Sequence, residues 1–148
     1  MIPLNNLQIE EQLKNIEHFR GVFSHDTLPK KIHDEESGVI NLDNKNGSGT
    51  HWVAYCSTDK SNITYLDSFG LPPSDSIASY LKGRGHNLLF NSSQFQRMTA
   101  TPICGYYCID FIKHLSSPIN MSAYDYLLKF KQEPTGINEQ IIAKNLSN

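Results

Sequence analysis

The sequence predicts an α+β fold in which a central antiparallel sheet packs on a buried helix. Two segments rich in aromatic and β-branched residues, 51–58 and 62–69, are separated by a short polar stretch, which indicates a hairpin. The segment 104–115, CGYYCIDFIKHL, is mostly apolar, which is typical of a helix buried in a core. Because helical patterns flank the strands instead of alternating with each of them, the order favours α+β.

The other elements follow from periodicity and capping signals. Leu7, Ile9, Leu13 and Ile16 recur at near-helical spacing, with Asn5 or Asn6 as the N-cap. The remaining segments predict, in chain order, a strand at 37–43, a short helix within 71–85, a strand at 87–96, and helices at 122–130 and 137–146. No repeat or low-complexity linker divides the chain, so residues 1–148 are expected to form one domain.

Composition excludes several classes of protein. Of the 148 residues, 39% are hydrophobic and 19% charged, and no apolar run approaches the roughly 20 residues of a membrane helix. The start of the chain shows no basic region followed by an apolar stretch, so no secretory signal is expected. Three cysteines in such a chain indicate reduced thiols and an intracellular setting. The net charge of −2 gives no overall attraction for nucleic acid.

Cys104 lies where a loop containing a proline meets the predicted buried helix. The positive end of a helix dipole favours a thiolate over a thiol, and Gly105 leaves room for a substrate backbone. The alternative is a buried cysteine that packs as a small apolar side chain, an interpretation that suits Cys108 well. Cys104, Cys108 and His114 lack the spacing of zinc ligands, so no metal site is predicted.

A thiol nucleophile needs a base, and His51 has the most informative setting of the six histidines. It stands at the start of a strand after a glycine-rich loop, whereas Asp67 lies in an apolar run on the second strand of the hairpin. A hairpin centred on position 59 pairs Tyr55 with Ile63 and His51 with Asp67. Directly opposed residues have Cβ atoms about 4.5–5.5 Å apart, and a register change of two leaves them diagonal neighbours. Taken alone, His51 could be an ordinary surface or packing residue, and Asp67 could be a turn residue at the end of a strand.

A donor for the oxyanion is also expected when a thiolate attacks a carbonyl. Gln94 and Gln96 stand ahead of Cys104, whose own backbone N–H is a natural second donor. Either glutamine could equally be a solvated loop residue.

The segments GTHWVAY, YLDSFG and CGYYC, in this order with a glutamine segment before the last, resemble the adenovirus-type cysteine proteinases (adenains). They are also similar to the wider clan of SUMO and ubiquitin-like-protein proteases, and the segment 19–32 resembles adenain-like proteases of Polinton/Maverick elements and related DNA viruses. The resemblance implies a papain-like fold of adenain type, with the nucleophile at the N-terminus of the buried helix. It makes His51 the base, Asp67 the orienting acid and Cys104 the nucleophile.

Further roles follow from the same resemblance. Trp52 matches the aromatic residue that lines the substrate channel, Gly105 is expected beside the substrate, and Gln96, with a one-residue loop insertion, is favoured over Gln94 as oxyanion donor. The resemblance implies cleavage of polypeptides, capsid precursors in particular, next to glycine, by an enzyme packaged in virions that needs no cofactor. The resemblance also implies activation by a peptide and by DNA. The net charge of −2 does not favour the DNA dependence. The alternatives are a SUMO- or ubiquitin-type isopeptidase and a silent binding module with this fold.

Overall fold

The computed structural model describes residues 2–43, 51–57, 60–96, 103–116, 122–130 and 136–147. The helices and strands in these residues are, in chain order, α1 (Asn6–Leu13), β1 (Phe19–Ser24), β2 (Ser37–Asn41), β3 (Trp52–Ser57), β4 (Asn62–Leu66), α2 (Asp75–Leu81), β5 (Asn87–Phe90), α3 (Cys104–Leu115), α4 (Ala123–Leu127) and α5 (Gly136–Leu146).

The strands form one five-stranded mixed sheet in the order β1-β2-β3-β4-β5. The pairs β2–β3 and β3–β4 are antiparallel, as predicted. The prediction of an antiparallel sheet is wrong for the two outer pairs, β1–β2 and β4–β5, which are parallel. Between β4 and β5, α2 carries the chain back to the end of the sheet where β4 began, and residues 25–36 make the corresponding return between β1 and β2.

Strand β1 was not predicted from the sequence. Its pairing with β2 shifts register between Phe19 and Gly21, and most of its side chains are half-buried. A glycine and a register irregularity in a six-residue strand obscure the alternation by which a strand is identified.

Both faces of the sheet are buried, so the central strands show almost no alternation between apolar and polar residues. In β3, Trp52, Ala54 and Cys56 pack in the cluster formed with α1, α3, α4 and α5. Val53 and Tyr55 pack in the cluster on the opposite face, which α2 covers. The sheet therefore lies between two helical layers.

Helix α3 forms the centre of the larger layer, which confirms the predicted buried helix. Eight of its twelve residues are buried. Helix α1 packs on it, and Asn5 caps α1 as predicted, because its side chain accepts from the Gln8 backbone N–H while the Gln8 side chain accepts from the Asn5 N–H, both at 2.9 Å. Among the described residues, no helix is both long and apolar enough to span a lipid bilayer.

Candidate active site

Cys104 is the first residue of α3, where the sequence predicted it. The preceding residue, Ile103, is the N-cap and makes no side-chain cap hydrogen bond. The first N–H groups of a helix lack intrahelical partners and give this end a partial positive charge. The thiol is 2% exposed and accepts a hydrogen bond from the backbone N–H of Trp52 over 3.3 Å. Its surroundings therefore offer donors to a thiolate.

His51 and Asp67 are brought together by the ends of β3 and β4. Nε2 of His51 lies 2.8 Å from Oδ1 of Asp67. The same carboxylate oxygen accepts the backbone N–H of Phe69 at 2.8 Å, and Asp67 is 1% exposed. Oδ1 of this buried carboxylate thus has two partners, whereas the buried Oδ2 has no hydrogen-bond partner among the described residues.

The register of the hairpin differs from the one predicted. Tyr55 pairs with Tyr65, not with Ile63, because the turn is centred one residue later. His51 and Asp67 are consequently diagonal neighbours, the arrangement expected after a register change of two. An imidazole is long enough to reach a carboxylate across this diagonal.

The pKa of His51 is raised from 6.5 to about 9. Burial, the largest single contribution, lowers it, but the hydrogen bond to Asp67 and the polar and electrostatic interactions with Asp67 and Cys104 outweigh that effect. Nε2 is engaged by Asp67, whereas Nδ1 is buried and has no hydrogen-bond partner within the described part of the chain. The ring is therefore an imidazolium at neutral pH, held at Nε2 by the Asp67 carboxylate.

The ring of Phe69 stacks on the imidazole of His51, with centroids 4.6 Å apart and planes inclined by 24°. This stacking restrains the plane of the imidazole ring, and the hydrogen bond to Asp67 restrains its rotation within that plane. The sequence offered a signal for it, since Phe69 follows Asp67 by two positions in YLDSFG.

The other two cysteines have surroundings of a different kind. Burial raises the pKa of Cys56 to about 12, and burial, the largest effect, raises the pKa of Cys108 well above its usual value. Both remain protonated at neutral pH, as the packing interpretation of Cys108 predicted. The three thiols are all free and buried, so partners and not exposure distinguish Cys104.

The two candidate glutamines are held differently. Gln96 is 2% exposed, and its side-chain oxygen accepts from the Ser68 hydroxyl at 2.7 Å. Gln94 uses its side-chain nitrogen to donate to the backbone carbonyl of Gln96 at 2.8 Å. Residues 97–102, which join them to Cys104, lie outside the described ranges, and the oxyanion role of Gln96 stays a prediction.

The structure fills the space beside Gly105 from within the chain. A Cβ at this position would lie 3.3 Å from Ile9 and 3.5 Å from Leu4. Trp52 is 7% exposed, and its indole N–H donates to the Leu4 carbonyl at 3.2 Å. The glycine is thus needed for packing of the N-terminal segment on α3, and substrate contacts of Trp52 and Gly105 stay predictions.

Sequence reasoning missed Asn91, which clamps the backbone of Asp67. Its side-chain oxygen accepts the Asp67 N–H at 3.1 Å, and its nitrogen donates to the Asp67 carbonyl at 2.6 Å. It also donates to the carbonyl of Ser93 at 3.1 Å. An asparagine after a strand is a common turn residue, so no signal in one sequence distinguishes this role.

No group of three or more histidine, cysteine, aspartate and glutamate side chains in the described ranges has the geometry to hold a metal ion.

No protein-family model matches the sequence, and no curated protein sequence does so. Among solved structures, the chain is similar to the ASFV pS273R protease, with a TM-score of 0.62 and 18% identity over 95% of this chain and 66% of that chain. The selenomethionine form of that protease gives a TM-score of 0.60 over 97% and 66%.

The chain is also similar to the SUMO protease Ulp1 with its catalytic cysteine oxidized to a sulfonic acid, with a TM-score of 0.50 and 18% identity over 97% of this chain and 79% of that chain. These similarities establish the fold. The chain has the α+β fold shared by the ASFV pS273R protease and the Ulp1 SUMO protease, as the sequence predicted.

Proposed function

We propose that the chain is a cysteine endopeptidase in which Cys104 is the nucleophile, His51 the general base and acid, and Asp67 the orienting acid. The observation that carries this proposal is the 2.8 Å contact between Nε2 of His51 and Oδ1 of Asp67, in surroundings that raise the pKa of His51 to about 9. A thiolate–imidazolium pair at a helix N-terminus is the arrangement that activates a cysteine for attack. The fold shared with two proteases agrees with it.

The proposed reaction uses groups of the chain, the substrate and one water molecule. The Cys104 thiolate forms a C–S bond with the scissile carbonyl carbon, and the carbonyl π electrons move to oxygen. The Cys104 backbone N–H and the Gln96 side chain donate to this oxyanion. When the carbonyl re-forms, the C–N bond breaks, and His51 gives its proton to the leaving amine.

The second half of the reaction releases the acyl group. His51, now neutral, takes a proton from water, and the hydroxide forms a bond with the thioester carbonyl. The C–S bond breaks, which returns the Cys104 thiolate beside a protonated His51. The proposal therefore includes no metal or organic cofactor.

The substrate proposal is narrower and comes from the resemblance to adenain-like proteases. It is cleavage of viral or transposon capsid precursors next to glycine, and it includes packaging of the protease in virions. Trp52 follows the base, and Gly105 follows the nucleophile, so both lie next to the reacting atoms. A peptide library tests the specificity: glycine at the position before the bond, or two before it, should promote cleavage, whereas equal cleavage after leucine, phenylalanine or arginine contradicts it.

A SUMO- or ubiquitin-type isopeptidase is the second candidate, because Ulp1 is named a SUMO protease. Mapping of cleavage sites separates the two. The chain is co-expressed with structural proteins of its own genome, and in parallel incubated with SUMO and ubiquitin fused to aminomethylcoumarin. Cleavage of the structural proteins alone supports the capsid proposal, and release of coumarin supports the isopeptidase. Cys104→Ala is the control, and the absence of both activities in the wild-type chain, with or without added DNA, supports the silent module.

A further inference from the structure

Ser68 immediately follows Asp67 and holds Gln96 by both its backbone and its side chain. The Ser68 hydroxyl donates to Oε1 of Gln96 at 2.7 Å, and the Ser68 carbonyl accepts the Gln96 N–H at 3.0 Å. The same carbonyl accepts the N–H of Phe95 at 2.8 Å. Ser68 and Gln96 are each 2% exposed, so these bonds do not compete with bulk water.

The hydroxyl of Ser68 decides which way the Gln96 amide faces. A primary amide has an acceptor oxygen on one side and two N–H donors on the other. With Oε1 engaged by Ser68, the N–H donors point away from Ser68. In the reverse orientation the buried hydroxyl would lose the acceptor that it has among the described residues, which is unfavourable.

Gln94 could act as an oxyanion donor through its side-chain nitrogen only by giving up a hydrogen bond of that side chain. Its side-chain nitrogen already donates to the Gln96 carbonyl at 2.8 Å. Gln94 therefore stabilises the segment, whereas Gln96 has its oxygen bound and its N–H groups directed elsewhere.

We propose that Ser68 is a positioning residue that orients the Gln96 amide as oxyanion donor, an inference that rests on the proposed protease function. Asp67 and Ser68, adjacent in one turn, would then orient two groups of the reaction. Asp67 holds the imidazole of His51, and Ser68 holds the amide of Gln96.

Two reactions of Cys104 separate this role from a general structural one. Acylation by N-acetylglycine p-nitrophenyl ester forms a C–S bond, passes through an oxyanion and releases p-nitrophenolate. Alkylation by iodoacetamide also forms a C–S bond, but it displaces iodide from a saturated carbon and forms no oxyanion. Loss of an oxyanion donor slows only the first reaction, whereas a disturbed His51 or Cys104 slows both.

We expect Ser68→Ala to lower the acylation rate roughly 3- to 10-fold, the size of one lost hydrogen bond, and to leave the alkylation rate and its pH profile unchanged. Gln96→Ala should lower acylation on the order of 10²-fold. In the Gln96→Ala background, Ser68→Ala should have no further effect, because the group that Ser68 orients is absent. Ser68→Thr, which keeps the hydroxyl, should restore much of the rate.

The proposal is overturned if Ser68→Ala acylates at the wild-type rate, slows both reactions equally, or adds its effect to that of Gln96→Ala. Thermal melting checks that each variant is folded. Should the alanine variant not fold, Ser68→Cys has a similar size but a weaker donor, and the same outcomes apply to it. Failure of the protease proposal is distinguishable, because the wild-type chain would then show neither acylation nor preferential alkylation at Cys104.

Discussion

The backbone N–H of Trp52 donates to Sγ of Cys104 over 3.3 Å, so the residue that follows His51 also holds the thiol. The start of β3 and the start of α3 thereby meet at the Cys104 sulfur. An N–H bond to an ionised sulfur is charge-assisted and stronger than one to a neutral thiol. The contact fixes the Cys104 sulfur next to the start of β3.

Asp67→Asn should preserve the fold and lower peptidase turnover about 10³- to 10⁴-fold. An amide oxygen can still accept the Phe69 N–H, but it carries no charge to stabilise the His51 imidazolium and can favour the wrong tautomer. Turnover is measured beside thermal melting. Asp125→Asn, the same change on an exposed residue of α4, is the control and should leave both unchanged. Near-normal turnover of Asp67→Asn would make Asp67 a turn residue only.

Gly70→Ala should be more destabilising than Gly85→Ala. Both glycines have a positive φ, +77° and +81°, which costs an alanine about 1–2 kcal/mol. A Cβ at Gly70 would lie 2.8 Å from the backbone of Ser93, whereas one at Gly85 meets nothing within 4 Å. Urea denaturation measures the unfolding free energy of both variants. Equal losses of stability would show that the backbone at Ser93 moves aside at little cost.

Gly70→Ala should also reduce activity. The clash would push the segment that begins at Ser93 away from the turn after β4, and this segment carries Gln96. Gly85→Ala should keep its activity because Gly85 precedes β5, at the other end of that strand from Ser93.

Asn91→Asp should destabilise the chain by about 1–3 kcal/mol, because it removes the donor to the buried Asp67 carbonyl. The new carboxylate would also lie close to Asp67. Asn87→Asp, in the exposed part of the same strand region, is the matched control and should cost little. Equal unfolding free energies for the two variants, by urea titration at neutral pH, would contradict the clamp.

The stability of the chain should fall as pH rises from about 6.5 to about 9. The pKa of His51 is raised in the folded state, so its contribution is fully present below its ordinary value of 6.5 and is lost as pH rises through about 9. A pKa difference of this size corresponds to about 3 kcal/mol. Urea denaturation across this range should show a smaller fall for Asp67→Asn. An identical slope would show that Asp67 does not hold the proton on His51.

The strands and the helix that carry the site could be predicted because each has a strong local pattern. The hairpin of β3 and β4 is rich in aromatic and β-branched residues, and α3 is apolar around most of its surface. His51 and Asp67 are in contact although the predicted register of the hairpin was wrong by two residues. The reason is that an imidazole can reach a diagonal neighbour in a sheet.

Other features depend on contacts that no local pattern encodes. Ser68 and Asn91 are ordinary turn residues by composition, and their roles arise only where the turn after β4 meets the segment after β5. The space at Gly105 is closed by Leu4 and Ile9, which are distant in sequence. Parallel pairing at the sheet edges follows from the paths of long connections rather than from the strands themselves.

The central claim is that Cys104 is a thiolate nucleophile paired with His51, and alkylation at mildly acidic pH tests it most directly. The chain is treated with limiting iodoacetamide at about pH 6, and the three cysteines are mapped by mass spectrometry. We expect Cys104 to be modified first and Cys56 and Cys108 to stay unmodified, since burial raises the pKa of both. His51→Ala should abolish that preference. Equal labelling of the three thiols, or none at Cys104, would contradict the account.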